Sequence, residues 1–319
     1  MKIWPYITLS LCALAAVSCN REHKRVIAVV PKGQAHIFWQ TVHAGAVAAG
    51  NEFGVDIRWN GPASEIDFSR QINIVDDFIN QHVDGIALAP AHGESLVPVV
   101  EHAAQENIPV AIFDSGIKTD KYLTYVSTDN YKGGVIAANR MAELLPGGGK
   151  IAIIGTIPGS VSTVERENGF QETLKAKAPK IQIVAFQYGM SDRSKGLAVA
   201  EDILTAHPDL NAMFCSNESG TLGAVQAAKT KGIAGKMKIV GFDSSPTLVE
   251  DMQAGNIDSL VVQNPFRMGY AAVKAIVDKL NGKTPEKRID TGATLVNAAN
   301  SKEPAIQELL NPPIEKYLK

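Results

Sequence analysis

The sequence predicts two copies of one α/β domain, each a doubly wound, Rossmann-like parallel sheet with helices on both faces. Three observations carry that prediction. Apolar runs and amphipathic stretches alternate about every 30 residues, the rhythm of βαβ units. The strand candidates, such as Val26-Ile27-Ala28-Val29-Val30 and Lys150-Ile151-Ala152-Ile153-Ile154, are continuous apolar runs, as a sheet covered on both faces requires. The pattern also repeats. Strand-like runs begin at Val26, Val55, Gly85 and Pro109, then at Lys150, Ile181, Ala212 and Lys238, with offsets of 124, 126, 127 and 129 residues. The fourth run of each half ends in Phe-Asp-Ser, at Phe113-Asp114-Ser115 and Phe242-Asp243-Ser244.

The N-terminus is read as a targeting segment and kept out of the fold. Lys2 is the only charge before Arg21, and the stretch between is too interrupted by Pro5, Thr8 and Ser10 for a membrane span. It ends Ala16-Val17-Ser18-Cys19, small residues ahead of a cysteine, similar to a bacterial lipobox although Leu is commoner where Ala16 stands. Residues 1–18 are therefore expected to be a signal peptide, Cys19 the lipidated new N-terminus, and 19–25 a polar tether, with plain cleavage after Ala15 as the alternative. Of the remaining cysteines, Cys12 leaves with the signal and Cys215 sits in an apolar strand as a core residue, so no internal disulfide is expected.

Helices fall between the strands. Val42, Ala46, Ala49 and Phe53 form one apolar stripe, and Phe68, Ile72, Val75 and Ile79 another. Right-handed crossovers put such helices on both sheet faces. The first unit runs to about Thr128, and the second opens with a helix near Tyr131. After the second Phe-Asp-Ser come a helix from Pro246, the strand Ser259 to Gln263, and a helix carrying Val273, Ile276, Val277 and Leu280 on one face. A strand from Thr291 to Val296 and a helix from Lys302 to Leu310 finish the chain. These leftovers imply that the chain crosses between domains near 128, 263 and 291, a three-stranded hinge. One lobe is then 26–128 plus 264–291, and the other 129–263 plus 292–319.

Composition narrows the function classes. The chain has 319 residues and a formal charge of −2; loss of residues 1–18 leaves 30 basic against 33 acidic residues, a charge of −3. Without a basic block, nucleic acid is not an expected partner. The seven histidines show no metal-ligand pairing at helical spacing, and no nucleophile elbow occurs. No metal or cofactor is expected.

Open α/β sheets bind ligands outside the carboxyl ends of their strands. Two facing sheets would aim Asp114 and Asp243 into one cleft, a carboxylate from each wall. The loop after the first strand, Pro31 to Trp39, puts Phe38 and Trp39 where they could stack on the apolar face of a sugar ring, with His36 and Lys32 able to reach polar groups. Arg166 opens the matching helix of the second half, and its guanidinium fork suits hydroxyl or carboxylate oxygens. Asn217, at a strand end, and Gln263, at a crossing, each offer a donor and an acceptor.

These residues carry a resemblance. The chain is similar to periplasmic sugar-binding proteins of the ribose/galactose type, soluble receptors of ABC importers, from Val26 to about Val296. The resemblance rests on Asp114 after Ile108-Pro109-Val110, Ser127-Thr128-Asp129-Asn130 before Gly133-Gly134, and Glu165-Arg166 before Gly169-Phe170. It continues through Asn217-Glu218 with Leu222-Gly223-Ala224, Gly241-Phe242-Asp243 with Pro246, and Gln263 before Gly269. It implies a type I periplasmic binding protein fold that closes about its hinge on a sugar or polyol, with Phe38, Trp39, Asp114, Arg166, Asn217, Asp243 and Gln263 as ligand contacts. It implies an ABC permease as partner, a monomer in the periplasm, and membrane attachment through a lipid anchor only. Two positions depart from the ribose binders: Ser115 stands where they have Arg, and Ala89-Pro90 where they have Asn. These departures point away from ribose toward a related sugar or polyol.

Two other function classes share features with this pattern. Asp114 and Asp243 could form a glycosidase pair, but duplicate placement at strand ends favours reversible binding, so no enzyme is expected. Lactose-repressor-type regulators share the fold, yet no helix-turn-helix precedes Val26. A receptor presenting sugar to a chemoreceptor or sensor kinase is the alternative to transport.

Overall fold

The computed structural model describes residues 24–318. The expected signal peptide, Cys19 and most of the tether lie outside the described residues. In chain order the elements begin β1 (Val26–Val30), α1 (Ile37–Phe53), β2 (Asp56–Trp59), α2 (Phe68–Asn80), β3 (Gly85–Leu88), α3 (Val97–Gln105), β4 (Val110–Phe113) and β5 (Thr124–Ser127). They continue α4 (Asn130–Leu144), β6 (Gly149–Gly155), α5 (Val161–Lys177), β7 (Ile181–Tyr188), α6 (Arg193–Ala206), β8 (Ala212–Cys215), α7 (Glu218–Thr230), β9 (Lys238–Phe242) and α8 (Pro246–Gln253). The last are β10 (Ser259–Gln263), α9 (Pro265–Leu280), β11 (Arg288–Asp290), β12 (Ala293–Asn297), α10 (Pro304–Leu310) and α11 (Ile314–Tyr317).

Two six-stranded sheets form, in the orders β2-β1-β3-β4-β5-β11 and β7-β6-β8-β9-β10-β12. The orders superimpose strand for strand, so the duplication read from the sequence is a duplication of topology. Side chains alternate across each sheet. In β1, Ile27 and Val29 face α1 and α9, while Ala28 and Val30 face α2 and α3. In β8, Met213 and Cys215 face one core and Ala212 and Phe214 the other. Apolar burial on both faces explains the unbroken hydrophobic runs. Cys215 is fully buried, and burial pushes its thiol pKa up.

The strand expected from Thr291 to Val296 is β12, Ala293–Asn297, and a second short strand not expected from the sequence, β11, precedes it in the other sheet. β11 runs parallel to β5, whereas β12 runs antiparallel to β10. The break is Thr291-Gly292, where Gly292 takes φ 79°, a left-handed conformation that Gly adopts without steric cost. β5 is half polar, Thr-Tyr-Val-Ser, and an apolar-run criterion passes over it. The helix expected from Lys302 to Leu310 is α10, which starts at Pro304, and the short α11 follows it.

The chain passes between the sheets after β5, between β10 and α9, and at Thr291-Gly292. It passes once more at its end. α10 packs on the second sheet through Ile306, but α11 packs on α1, with the Tyr317 ring 5.8 Å from that of Phe266. Residues 314–317 therefore leave the lobe expected for 292–319.

Each lobe joins its own first helix to the helix that arrives from the other lobe. A Cβ on Gly45 of α1 would lie 2.0 Å from the Phe266 carbonyl oxygen of α9, and one on Gly269 2.1 Å from that of Val42. The second lobe repeats the device: a Cβ on Gly134 of α4 would lie 2.0 Å from the Arg166 carbonyl oxygen of α5, and one on Gly169 2.2 Å from that of Tyr131. Only glycine lets these backbones approach so closely.

Candidate functional site

The duplicated aspartates end β4 and β9 in the same backbone state. Asp114 has φ 60° and Asp243 φ 70°, a left-handed conformation that Asp tolerates better than most residues. Each donates its backbone N–H to the next strand of its sheet, to the Val126 and Val261 carbonyls, both at 2.9 Å. The twist turns both carboxylates off their sheets into one narrow, partly open cavity between the lobes, with free room of about 30 Å³. That is far below the roughly 300–1,000 Å³ of ligand sites, so the lobes must part to admit a sugar.

All nine residues singled out from the sequence line this cavity: Lys32, His36, Phe38, Trp39, Asp114, Arg166, Asn217, Asp243 and Gln263. Sequence reasoning missed Glu65, Thr156, Ser162 and Thr163, which line it too. Glu65 follows β2, so the strand-end rule could have found it.

The geometry gives several of these side chains structural partners. The Lys32 Nζ sits 2.8 Å from Asp114 Oδ2, 3.0 Å from Ser162 Oγ and 3.2 Å from Ser160 Oγ, so its three protons are all matched within the protein. The Arg166 guanidinium lies 4.0 Å over the Phe242 ring, donating from Nε to Asn130 Oδ1 and from Nη1 to the Ser216 carbonyl, each at 2.9 Å. Asn217 caps α7, its Oδ1 accepting from the Gly220 N–H at 3.0 Å, while its Nδ2 donates to Ser191 and Ser219 hydroxyls. Gln263 donates to Asp243 Oδ1 at 2.6 Å, and its Oε1 is buried without a partner. A buried acceptor left open in this way calls for a donor.

The aromatic wall is braced rather than loose. Trp39 donates its indole N–H to Glu65 Oε1 at 2.7 Å and meets Phe38 edge-on, with ring centroids 4.9 Å apart. Both rings also belong to the first lobe's core.

Charges in the site are strongly coupled. His36 Nδ1 lies 3.2 Å from Glu65 Oε1, and Nε2 lies 3.1 Å from the Ser191 carbonyl. Two acceptors call for the doubly protonated ring. Burial alone would lower its pKa, but the hydrogen bond and charge of Glu65, with Glu218 and Asp243 behind, outweigh it and raise the value to about 9. For Glu65, burial would raise the pKa; His36, Lys32 and the Trp39 N–H bring it down to about 2. Burial pushes Glu218 up to about 7 against the pull of His36, and pushes Asp243 up against that of Arg166. Glu167, buried beneath Ser216 and Thr156, is also raised by burial to about 7.

The two lobes are in contact across the cleft. Ser162 donates its N–H to Ser115 Oγ at 3.1 Å, and Gly93 donates to the Gly159 carbonyl at 3.1 Å. Ser115 is fully buried in this contact, which leaves no room there for the Arg of the ribose binders. Helix α1 has no side-chain cap of its own at His36; Glu218 of the second lobe accepts from the Phe38 N–H instead. The arrangement can enclose a small, neutral, hydroxyl-rich molecule, its acceptors and donors drawn from both lobes. Among the described residues no cluster of potential metal ligands forms, and no helix is long and apolar enough to cross a membrane.

Comparison with known proteins agrees with this geometry. Residues 27–284 match the periplasmic binding protein domain. The chain is 32% identical over 308 residues to the D-ribose/D-allose-binding protein of Pseudomonas aeruginosa, covering 92% of this chain and 96% of that one. It is 33% identical to the D-allose-binding periplasmic protein of Escherichia coli, covering 79% of this chain and 83% of that one. Among solved structures it resembles a carbohydrate transporter solute-binding protein from Agrobacterium radiobacter in complex with D-arabinose, with a TM-score of 0.88, 32% identity, and coverage of 91% of this chain and 100% of that one. An ABC transporter solute-binding protein from Agrobacterium vitis with bound D-fucose gives a TM-score of 0.87, 36% identity, and coverage of 90% and 100%.

Proposed function

The chain belongs to the periplasmic binding protein family, and from that premise we propose that it is the exported receptor of an ABC importer. It binds a sugar or polyol between its lobes and delivers it to the permease. The observation that carries this reading is the meeting of Asp114 and Asp243, one from each lobe, in a single cavity with an aromatic wall. Ligand hydroxyls donate to these carboxylates and to the open Gln263 Oε1, and accept from Arg166 and Asn217. Phe38 and Trp39 cover an apolar ring face.

The role is binding and not catalysis. Asp114 is paired to Lys32, and Asp243 accepts from Gln263 and the Glu218 N–H, which supports fixed acceptors over a free acid and base. Cys19, after Ala16-Val17-Ser18, is proposed as the lipid anchor that holds the receptor at the membrane. Labelled palmitate should tag the wild type and not Cys19→Ala.

The ligand assignment is tested by a thermal-shift panel of pentoses, hexoses, deoxysugars and polyols. Ligand at 100 times its Kd stabilises by about 2.7 kcal/mol, so a cognate sugar should raise the melting temperature clearly. A panel with no response, against a nucleoside that does respond, overturns the sugar assignment.

A further inference from the structure

The two ring nitrogens of His36 are committed to opposite lobes. Nδ1 lies 3.2 Å from Glu65 Oε1 in its own lobe, and Nε2 lies 3.1 Å from the Ser191 carbonyl oxygen in the other. A carbonyl only accepts, and so does an ionised carboxylate, so the ring serves both partners only when it carries two protons. We propose that Glu65 is a positioning residue of the binding site: by holding His36 doubly protonated, it lets the ring clasp the second lobe and so sets how fast a bound sugar leaves. The proposal rests on the sugar-binding reading above and deepens it.

Neither neutral tautomer can replace the charged ring. With the proton on Nδ1, the Nε2 lone pair faces the Ser191 carbonyl; with it on Nε2, the Nδ1 lone pair faces the Glu65 carboxylate. Deprotonation therefore breaks one contact or the other. Burial alone would lower the ring's pKa, but Glu65 from the loop after β2, Glu218 from the start of α7 and Asp243 from the end of β9 raise it to about 9. The Lys32 ammonium acts on Glu65 and is itself paired with Asp114. On the loop that carries Ser191, Asp192 is exposed and caps α6 through the Lys195 N–H.

The receiving loop is held in an unfavourable backbone. Met190 and Ser191 are consecutive non-glycine residues at φ 55° and 52°, a left-handed conformation that is costly for an L side chain and persists where the surroundings fix it. The Ser191 Oγ accepts from Asn217 Nδ2 at 3.1 Å. At the other end, Glu65 Oε1 also accepts the Trp39 indole N–H at 2.7 Å. Trp39, Glu65, His36, Ser191 and Asn217 thus form one run of polar contacts from the aromatic wall of the first lobe to an amide of the second. A sugar that touches Trp39 and Asn217 holds both ends of this run, so binding and closure support one another.

The test uses the mature chain and the sugar or polyol that gives the largest thermal shift in the panel. Its dissociation rate is followed by stopped-flow displacement from about pH 6 to 10. The wild-type rate should stay flat to about pH 8 and then rise about tenfold, the loss of one charged hydrogen bond. His36→Ala should release the sugar about tenfold faster at neutral pH, with no such rise. Glu65→Gln keeps an oxygen for the Trp39 N–H but not the charge, so its rise should begin at least about one pH unit lower; a Glu65 that only braces the fold would leave the midpoint in place. A wild-type rate flat throughout, a rise that survives in His36→Ala, or an unmoved midpoint in Glu65→Gln overturns the proposal, and the first of these needs no variant to fold. If no sugar or polyol binds, the sugar-binding reading fails and the clasp is judged on the sugar-free chain by small-angle scattering. A radius of gyration that grows between about pH 7 and 10 in the wild type and not in His36→Ala supports it; any other pattern overturns it.

Discussion

Glu218 and Phe38 face each other across the cleft: the Glu218 carboxylate of one lobe accepts the backbone N–H of Phe38 in the other, at 3.3 Å. Helix α1 begins at Ile37 without a cap from its own lobe, and its first N–H groups gain an acceptor when the lobes meet. Glu218 does not line the cavity, and its link to the site is this contact between the lobes.

Replacing Glu218 with Ala should therefore weaken sugar binding through faster dissociation. Loss of a helix cap costs about 1 kcal/mol, or about fivefold in affinity. Glu218→Gln keeps an acceptor oxygen and should recover most of the loss. Stopped-flow displacement reads the effect; an unchanged dissociation rate in the Ala variant would rule out the closure role.

Stability should decline with alkaline pH. His36 is raised from 6.5 to about 9, so its contribution is complete below 6.5 and is lost as pH climbs through 9. Glu218 and Glu167, raised from 4.5 to about 7, act with the same sign over a lower window, from 4.5 to 7. Glu65, lowered from 4.5 to about 2, opposes them only in acid, its contribution being lost as pH falls from 4.5 through 2. Melting temperature measured against pH should fall from pH 6.5 to 9, and His36→Gln should flatten that limb. A limb equally steep in the variant would place its cause elsewhere.

Glu167→Gln should stabilise at pH 8. The buried carboxylate is ionised there at a cost, whereas Gln keeps an oxygen for the Thr156 N–H and the Ser216 hydroxyl. At pH 4.5 and below, where Glu167 is protonated, the variant should melt like the wild type. Each kcal/mol gained corresponds to about 2–4 °C, readable by calorimetry. Equal destabilisation at both pH values would contradict the argument.

The two aspartates should separate. Asp114→Ala leaves Lys32 buried without its carboxylate, a loss of about 3–5 kcal/mol of stability. Asp243→Asn removes a charge that burial already disfavours, so it should fold nearly as stably while binding sugar at least tenfold more weakly, through loss of charged hydrogen bonds of about 1.5–3 kcal/mol each. Comparable melting losses in both would refute the distinction.

Gly45→Ala should destabilise the first lobe, because the added Cβ meets the Phe266 carbonyl oxygen at 2.0 Å. Overpacking of this kind costs about 1–3 kcal/mol. Gly147→Ala, whose Cβ meets nothing within 4 Å, is the control and should melt unchanged.

The strands and the cavity-lining residues were legible because burial on both faces leaves an unbroken apolar record and because the repeat marks strand ends twice. Asp114 and Asp243 could be paired from Phe-Asp-Ser alone. Glu218 was part of a quoted motif, yet an acid in a first helical turn reads as favourable to the helix dipole; its partner lies 180 residues away and appears only with the lobes together. β11 is only three residues long, and the step from it to β12 in the other sheet turns on Gly292. α11 is four residues long, too short to leave a periodicity, and its place against α1 is set by tertiary contact.

The exchange of helices between lobes also fixes an order of events during synthesis. One face of the first sheet is completed by Met268, Ala272, Val273 and Ile276 of α9, made more than a hundred residues after β5. The second lobe's borrowed helix, α4, precedes it, and only its edge strand β12 and helix α10, through Ile306, are made after α9. Contacts so distant in sequence form slowly. The N-terminal half therefore emerges from the ribosome without the means to finish its own core, and stays unfinished until the last fifth of the chain has been made.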